Sequence, residues 1–474
     1  MSARGGVLIA ATVALLAAAA RPAGADGGGV PASAAPDCAQ PADGRAPDPR
    51  CGEALDGRAP PPPPSPARTA GQVALYPTRA IAAGAFYPLV QATDVIESHH
   101  AQDWLQAWLT SDDGKVGVRP LLKYATSTVP TVGLRVFYQR LPGEGSGVAT
   151  SFQTAGPAAM VGEVDAAAAR WTGLSFRTVV SHRDDRYFAG IGALSQADLT
   201  ARGWSAARFS SDIYSAEVRW TRALPANLRV VLHGDLQRRD YRAGGVRGGP
   251  SVAEVFRAAT PDCQATTQPT NACVDPTLLP GFADGMRITH QGVGLQWDVR
   301  SHTRDGSGAA LAVDATFAEG IAGDPSRHVT LSAEPVVALG HADRQIILRG
   351  RAVMVDALAD APIPFEELAV MSGWNGMRGF LDGRFRGDSG VVTTAEYRWY
   401  VSHLVDASLF TDVGTVAGHD FAGIGSARWF PSYGLGLRLY RTPGAYWEGA
   451  PQSGMQFIYA PDGGFRFILS VATF

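Results

Sequence analysis

The sequence predicts an all-β fold, a transmembrane antiparallel β-barrel of about 16 strands with a short N-terminal helical segment and a Pro-rich spacer. Three observations predict it. The chain starts like an exported protein, no later segment approaches 18 consecutive apolar residues, and polar and apolar residues alternate with a period of two from about residue 116 onward. Without a spanning helix, a membrane role requires a closed barrel, because every backbone polar group in hydrocarbon must be paired internally.

The first 25 residues are typical of a secretory signal peptide. A cationic start at Arg4 precedes an apolar run over 7–20 and the small-residue site Ala23-Gly24-Ala25. A membrane anchor is the alternative, but this run is shorter than the ~20 residues that a spanning helix needs. We therefore predict cleavage of residues 1–25 and export of the mature protein from the cytoplasm.

Two segments separate the signal from the region of alternating residues. Residues 26–75 are rich in Ala, Pro and Gly, with a proline run at 60–64, and are predicted to be a disordered spacer. Residues 76–115 carry apolar residues at helical spacing and are predicted to form a short periplasmic helical segment. Trp104 and Trp108 fit a membrane-interface surface or a packed helix face equally well.

Net charge, cysteines and histidines bear on three questions: a nucleic-acid partner, disulfide bonds and metal binding. A formal net charge of -3 gives no support for a nucleic-acid partner. In an exported protein, Cys263 and Cys273 within a polar loop are candidates for a disulfide, and Cys38 and Cys51 for a second. The pair His99-His100 lacks other ligands at fitting spacing, so we predict neither a metal site nor a cofactor.

Residues 116–474 have the alternation typical of half-buried strands, separated by Gly, Asp, Pro and Ser clusters. A soluble β-sandwich alternates in the same way. The polar positions nevertheless carry many charged residues, as expected where lipid covers one face and a polar lumen the other. The alternating segments include 134–136, 216–220, 228–237, 293–300, 311–317, 346–354, 391–399 and 433–440.

An ordered set of motifs fills the last hundred residues. A Gly-rich approach over 371–380 contains Arg378-Gly379-Phe380, a later strand carries Glu396, and Phe-Thr-Asp412-Val-Gly follows. The chain ends on a strand that terminates in Phe474, which looks like the C-terminal signal of outer-membrane barrels. In order and spacing this set resembles the BamA/TamA-type bacterial surface antigen family, clearly over 371–474 and loosely over the rest of the barrel.

The resemblance implies that the Arg-Gly-Phe loop folds back into the lumen, where Arg378 needs carboxylate partners because an unpaired buried charge is costly. The strand pleat predicts that Glu396 and Asp412 both point inward and supply them. Gly376 and Gly379 would let the loop turn tightly and approach the wall, with Phe380 packed inside. Stabilisation of the barrel and a direct role in gating are both open for this cluster.

The resemblance also implies a location and a function. Members of this family reside in the bacterial outer membrane and insert other barrels or move polypeptides across it. The expected partners are outer-membrane lipid together with unfolded outer-membrane proteins or a periplasmic protein that binds residues 26–110. Those residues contain no recognisable polypeptide-transport-associated module, and Val471 replaces a glycine often found in the final strand. A passive pore or structural surface barrel is the alternative.

An enzyme is not predicted. Some outer-membrane barrels are hydrolases that use Ser, His and Asp groups, but the sequence shows no Gly-x-Ser-x-Gly elbow between a strand and a helix. The nearest match, Gly-Glu-Gly-Ser-Gly at 143–147, has the wrong spacing and falls in a predicted turn.

Overall fold

The computed structural model describes most of the chain from residue 113 to residue 471. Within this range it omits 141–145, 169–171, 202–206, 245–251, 253–278, 302–305, 342–343, 375, 403–404 and 440–452; before it, only residues 87, 91 and 108–111 are described. The predicted signal peptide, the spacer and most of the helical segment therefore lie outside the described residues. So do His99, His100, Phe474 and the disulfide candidates Cys38, Cys51, Cys263 and Cys273.

The described strands form a closed antiparallel barrel of 16 strands, which confirms the predicted fold class. Each barrel strand pairs with its sequence neighbours, and β1 pairs with β18 to close the sheet. The strands are β1 Val116–Ala125, β2 Thr131–Gln139, β3 Gly147–Thr154, β4 Ala159–Ala167, β5 Leu174–Phe188, β6 Ala207–Leu224, β7 Leu228–Ala243, β8 Met286–Asp298, β9 Gly308–Gly320, β10 Arg327–His341, β11 Arg344–Ala357, β12 Ala369–Val370, β13 Arg386–Gly387, β14 Ser389–Tyr400, β15 Val405–Ala417, β16 Phe430–Leu439, β17 Ser453–Ala460 and β18 Gly464–Val471.

Two of these strands stand apart from the barrel wall. The two-residue strands β12 and β13 pair only with each other, inside the connection between β11 and β14. A short helix, α1 Gln196–Ala201, lies between β5 and β6, and a 3₁₀ turn, His419–Phe421, follows β15. In the described part of the chain, no helix is both long and apolar enough to cross a bilayer.

The outer face of the wall is apolar, because side chains alternate between the two faces of a strand. Along β15, Leu409 is 52% exposed on the outer face, whereas Phe410 and Asp412 are buried on the inner one. Exposing so large a contiguous apolar surface to water is unfavourable, whereas lipid would cover it. Outward apolar residues that are about half exposed include Val132, Leu134, Val136, Phe152, Val180, Leu232, Leu236, Val293, Tyr433 and Phe457.

The two ends of the barrel differ in loop length. Both chain ends of the barrel, at β1 and β18, lie at the end where connections such as 225–227 and 342–343 are short. We call this the short-loop end. The opposite, long-loop end carries the connections 189–206, 244–285 and 358–388. A barrel with short turns on one side and long loops on the other is typical of outer-membrane proteins.

The connection 358–388 between β11 and β14, here called the inward loop, lies across the lumen. Its Phe365 packs against Phe188 of β5 and Phe209 of β6, with ring centroids 5.8 and 5.5 Å away. Its Phe385 packs against Phe430 of β16, 4.3 Å away. Because β5 and β6 lie on the other side of the barrel from β16, a segment that contacts both must cross the interior.

The lumen keeps a cavity of about 700 Å³ at the short-loop end, beside β1 to β6. Charged side chains on the inner face line it, among them Arg119, Arg135, Asp165, Arg177, Glu217 and Arg219. Several are already paired, for instance Arg135 with Asp165 at 2.9 Å. The interior of the barrel is therefore polar at this end and filled by the inward loop nearer the other.

Candidate functional site: the inward loop and its two wall contacts

Arg378, at the tip of the inward loop, is held by Asp412 of β15. Its Nε and Nη2 donate to the two carboxylate oxygens of Asp412 at 3.0 and 2.8 Å, and its backbone N–H donates to the same carboxylate at 3.1 Å. Arg378 is 7% exposed and Asp412 is fully buried. A bidentate Arg–carboxylate pair fixes both distance and orientation, so it sets the position of the loop tip.

Asp412 is itself held in place from both sides. Thr394 Oγ1 of β14 donates to Asp412 Oδ1 at 2.8 Å, and Ser432 Oγ of β16 donates to Oδ2 at 3.4 Å. The guanidinium of Arg378 also lies over the ring of Phe410, 3.4 Å from its centroid, and makes a cation–π contact with it. Phe410 is on β15, the strand that carries Asp412. We refer to Arg378, Asp412 and these neighbours as the Arg378 pocket.

Glu396 of β14 contributes less to Arg378 than the sequence suggested. The distance from Arg378 Nη1 to its carboxylate is 3.7 Å. Two other guanidinium groups are closer, since Arg438 of β16 donates to Glu396 at 2.8 and 3.0 Å and Arg398 donates at 3.1 Å. Glu396 is 1% exposed, so its buried charge needs cationic partners. Because three guanidinium groups lie near it, it balances a cluster of cations and not Arg378 alone.

Arg466 of β18 joins the loop tip to the last strand. Its Nη1 donates to the carbonyl oxygen of Arg378 at 2.9 Å and also to that of Phe380. The ring of Phe380 is 2% exposed and packs edge-on against Phe385, with centroids 4.9 Å apart. Sequence reasoning missed Arg466, although its place in an alternating terminal strand marks it as facing the lumen.

The two glycines of the loop lie where a side chain has no room. A methyl group at position 376 would overlap the backbone oxygen of Met371. At position 379 it would overlap Cβ of Ser432 and lie 3.0 Å from Cβ of Ala460. Glycine is therefore required at 376 because the loop turns tightly on itself, and at 379 because the loop approaches the wall of the barrel closely.

Gly379→Ala is expected to lower the free energy of unfolding by about 1–3 kcal/mol, the usual cost of overpacking a filled interior. Adding Ser432→Gly removes the overlapping atom and should recover part of the loss. The measurement is urea-induced unfolding in lipid vesicles. Gly425→Ala is the matched control, because a methyl group there has open space around it. Equal destabilisation by both alanine variants would contradict this account of Gly379.

A second buried cluster holds the beginning of the inward loop to the opposite wall. Glu366 accepts from Arg186 of β5 at 2.7 Å and from Arg386 of β13 at 2.5 Å. Burial alone would raise the pKa of Glu366, but Arg186, Arg386 and Arg239 outweigh burial and lower this pKa to about 2. The carboxylate is therefore charged at neutral pH, and we call this group the Glu366 cluster.

Arg384 connects the loop to two further connections at the long-loop end. Its Nη2 donates to the carbonyl oxygen of Leu194 at 2.6 Å, and lies 3.3 Å from Asp462 in the β17–β18 turn. Asp462 also accepts from the backbone N–H of Gln196, the first residue of α1. These contacts place three connections of the long-loop end against one another.

These features define a class of protein: an integral outer-membrane β-barrel whose lumen, in the part of the chain that the structure describes, is crossed by a long loop held by buried ion pairs. A comparison with models of protein families identifies a family that matches part of this barrel. Residues 289–444 match the Omp85 superfamily domain, so the C-terminal part of this barrel is an Omp85 superfamily domain. The matched region contains Arg378, Glu396 and Asp412, and leaves out Arg466 of the final strand.

One solved structure supports the same fold. BamA from Haemophilus ducreyi lacking POTRA domains 1–3 is similar with a TM-score of 0.50 and 13% identity over 75% of this chain and 70% of that one. CdiB from Acinetobacter baumannii and CdiB from Escherichia coli give TM-scores of 0.45 each, at 13% and 11% identity. They are matched over 75% and 74% of this chain, which spans only 59% and 62% of theirs. A search of curated proteins found no significant match.

Proposed function

We propose that this protein acts on polypeptide substrates at the outer membrane, either inserting unfolded barrel proteins or moving polypeptides across the membrane, and that it does so without enzymatic chemistry. The observation that carries the proposal is the Arg378 pocket within an Omp85 superfamily domain. The inward loop supports it, because a loop held by buried ion pairs on two walls occupies the lumen that a passive pore would keep open.

The seam between β1 and β18 offers a route for substrate. Its described part contains four register pairs, from Leu122 with Val471 to Ala125 with Ile468. β1 and β18 are the first and last strands of the barrel, so no connecting segment links them directly and breaking their backbone hydrogen bonds opens the wall. We place substrate exchange at this seam, with a periplasmic partner recruited through residues 26–110.

A cross-link across the seam tests the proposal. Lys123 and Ser470 are register partners, so the double variant Lys123→Cys/Ser470→Cys brings two thiols to bonding range. The rate at which an unfolded barrel protein inserts into liposomes is measured with this variant, oxidised and reduced, and with empty liposomes. We expect acceleration by the wild-type and reduced proteins, and its loss on oxidation.

Thr150→Cys/Val164→Cys provides the matched control, since these residues are register partners between β3 and β4, away from the seam. Its oxidation should leave the rate unchanged, and the wild type under both conditions accounts for the native cysteines. If wild-type protein gives no acceleration over empty liposomes, insertion of barrel proteins is ruled out. A steady ion conductance from the purified barrel would then identify the passive pore.

A further inference from the structure

Four inward residues form one lateral row across neighbouring strands of the wall. Asp235 of β7 is the register partner of His290 of β8, which pairs with Ala318 of β9, which pairs with His328 of β10. The two histidines therefore flank a single small residue that is fully buried. Because Ala318 leaves space between them, both imidazoles can face one point above it in the lumen.

Glu367 of the inward loop reaches that point. Its Oε2 lies 3.1 Å from His290 Nε2 and 3.7 Å from His328 Nε2. Among the described residues, these three side chains form the one group whose His and carboxylate atoms all lie within 4.8 Å of one another. Ligands around a tetrahedral zinc ion are about 3.3–3.6 Å apart, given metal bonds of about 2.0–2.2 Å. Only small movements would bring the three atoms to that spacing.

His328 is a buried polar side chain whose one charged neighbour among the described residues, Glu367, lies beyond hydrogen-bond distance at 3.7 Å. It is fully buried, and within the described part of the chain neither of its ring nitrogens makes a hydrogen bond. Buried imidazole nitrogens are normally hydrogen-bonded, because a buried polar atom without a hydrogen bond loses its hydration and gains nothing in exchange. A bound metal ion would satisfy Nε2 of His328 directly.

The surroundings also match those of a metal site. Asp235 Oδ1 lies 2.7 Å from His290 Nδ1, the arrangement in which a carboxylate fixes the tautomer and orientation of a metal-binding histidine. Arg239 approaches the other oxygen of Glu367, Oε1, at 3.4 Å. This leaves Oε2 facing the two imidazoles and holds the carboxylate in place.

We propose that His290 Nε2, His328 Nε2 and Glu367 Oε2 bind a divalent transition-metal ion of the zinc type, with water as a fourth ligand. Two imidazoles and one carboxylate are a common ligand set for zinc. Such an ion would attach the inward loop to β8 and β10, on a part of the wall separated from the Arg378 pocket by β11. The competing interpretation is a metal-free charged cluster in which protonated His290 bridges Asp235 and Glu367.

Metal titration distinguishes the metal site from the metal-free charged cluster. The protein used is the full-length mature barrel, untagged and with its cysteines alkylated. After treatment with a chelator, Zn²⁺ is titrated by calorimetry and the bound metal is counted by mass spectrometry. We expect about one zinc ion per barrel. Glu367→Gln and His328→Gln should each abolish this site, and Asp235→Asn should weaken it by about 10–100-fold, the usual effect of losing an outer carboxylate.

His233→Gln is the matched control, because His233 lies on the same wall with Nε2 2.9 Å from Asp314 but outside the group of three. It should keep the full affinity. Absence of stoichiometric zinc, or zinc binding that survives His328→Gln, overturns the proposal. Should the variants fail to fold, X-ray absorption of the wild-type protein with Co²⁺ decides: two imidazoles with oxygen support the site, and any sulfur ligand refutes it.

Discussion

Asp412→Asn is expected to lower the free energy of unfolding by about 3–5 kcal/mol, the range found when one partner of a buried ion pair is removed. The variant keeps the shape of the side chain and loses its charge. Arg378 would then depend on Glu396, 3.7 Å away, which Arg398 and Arg438 already share. The surplus positive charge should release the loop tip from the wall.

Urea-induced unfolding in vesicles measures the loss, and trypsin cleavage at the arginines of the inward loop reports the release of the loop. Asp298→Asn is the matched control. Asp298 pairs with Arg300 at 2.6 Å, but both side chains are nearly half exposed. Exposed pairs contribute about 0–1 kcal/mol. A similar cost for both variants would show that burial does not govern the contribution of Asp412.

Glu366→Gln is expected to have an effect of the same size on the opposite wall. The carboxylate is 2% exposed and holds Arg186 and Arg386 at 2.7 and 2.5 Å, with Arg239 at 3.7 Å. Without it, three guanidinium groups face one another in the interior, at a cost of about 3–5 kcal/mol. The start of the inward loop should detach while the Arg378 pocket stays intact.

The double variant Glu366→Gln/Arg386→Gln tests the electrostatic origin of this loss. Removing one surplus charge should recover part of the stability, giving a non-additive cycle. Glu217→Gln serves as the control, since its pair with Arg219 at 2.8 Å is partly exposed. Additive losses in the cycle would instead point to a packing defect around residue 366.

The fold was predictable because its determinants are local. Alternation along segments such as 228–237 and 391–399 requires only neighbouring residues, and the structure has them in β7 and β14. A strand count followed from the length of the alternating region, and closure followed from the lack of another way to satisfy backbone groups in lipid. The same reasoning missed strands such as β10, where Pro335 interrupts the usual pattern of residues.

The site was predictable only in part, for a physical reason. The pleat fixes the face on which Glu396 and Asp412 lie, so their side of the wall follows from the sequence. The Glu366 cluster joins residues about 180 positions apart in the chain, Arg186 and Glu366, and no local pattern encodes that contact. Likewise, the row from Asp235 to His328 emerges only from the register of four strands.

The two attachments of the inward loop bear on how the barrel deforms. The inward loop acts as a brace across the diameter of the barrel. A barrel with such a brace resists flattening at the strands that the loop contacts and bends at the remaining strands. In the described residues, charged side chains join this brace to β5, β7, β8 and β10 on one side and to β14, β15 and β18 on the other. Bending should therefore concentrate in β1 to β4. That arc borders both the closing seam and the charged cavity, so its compliance would set how wide a chain the barrel can admit.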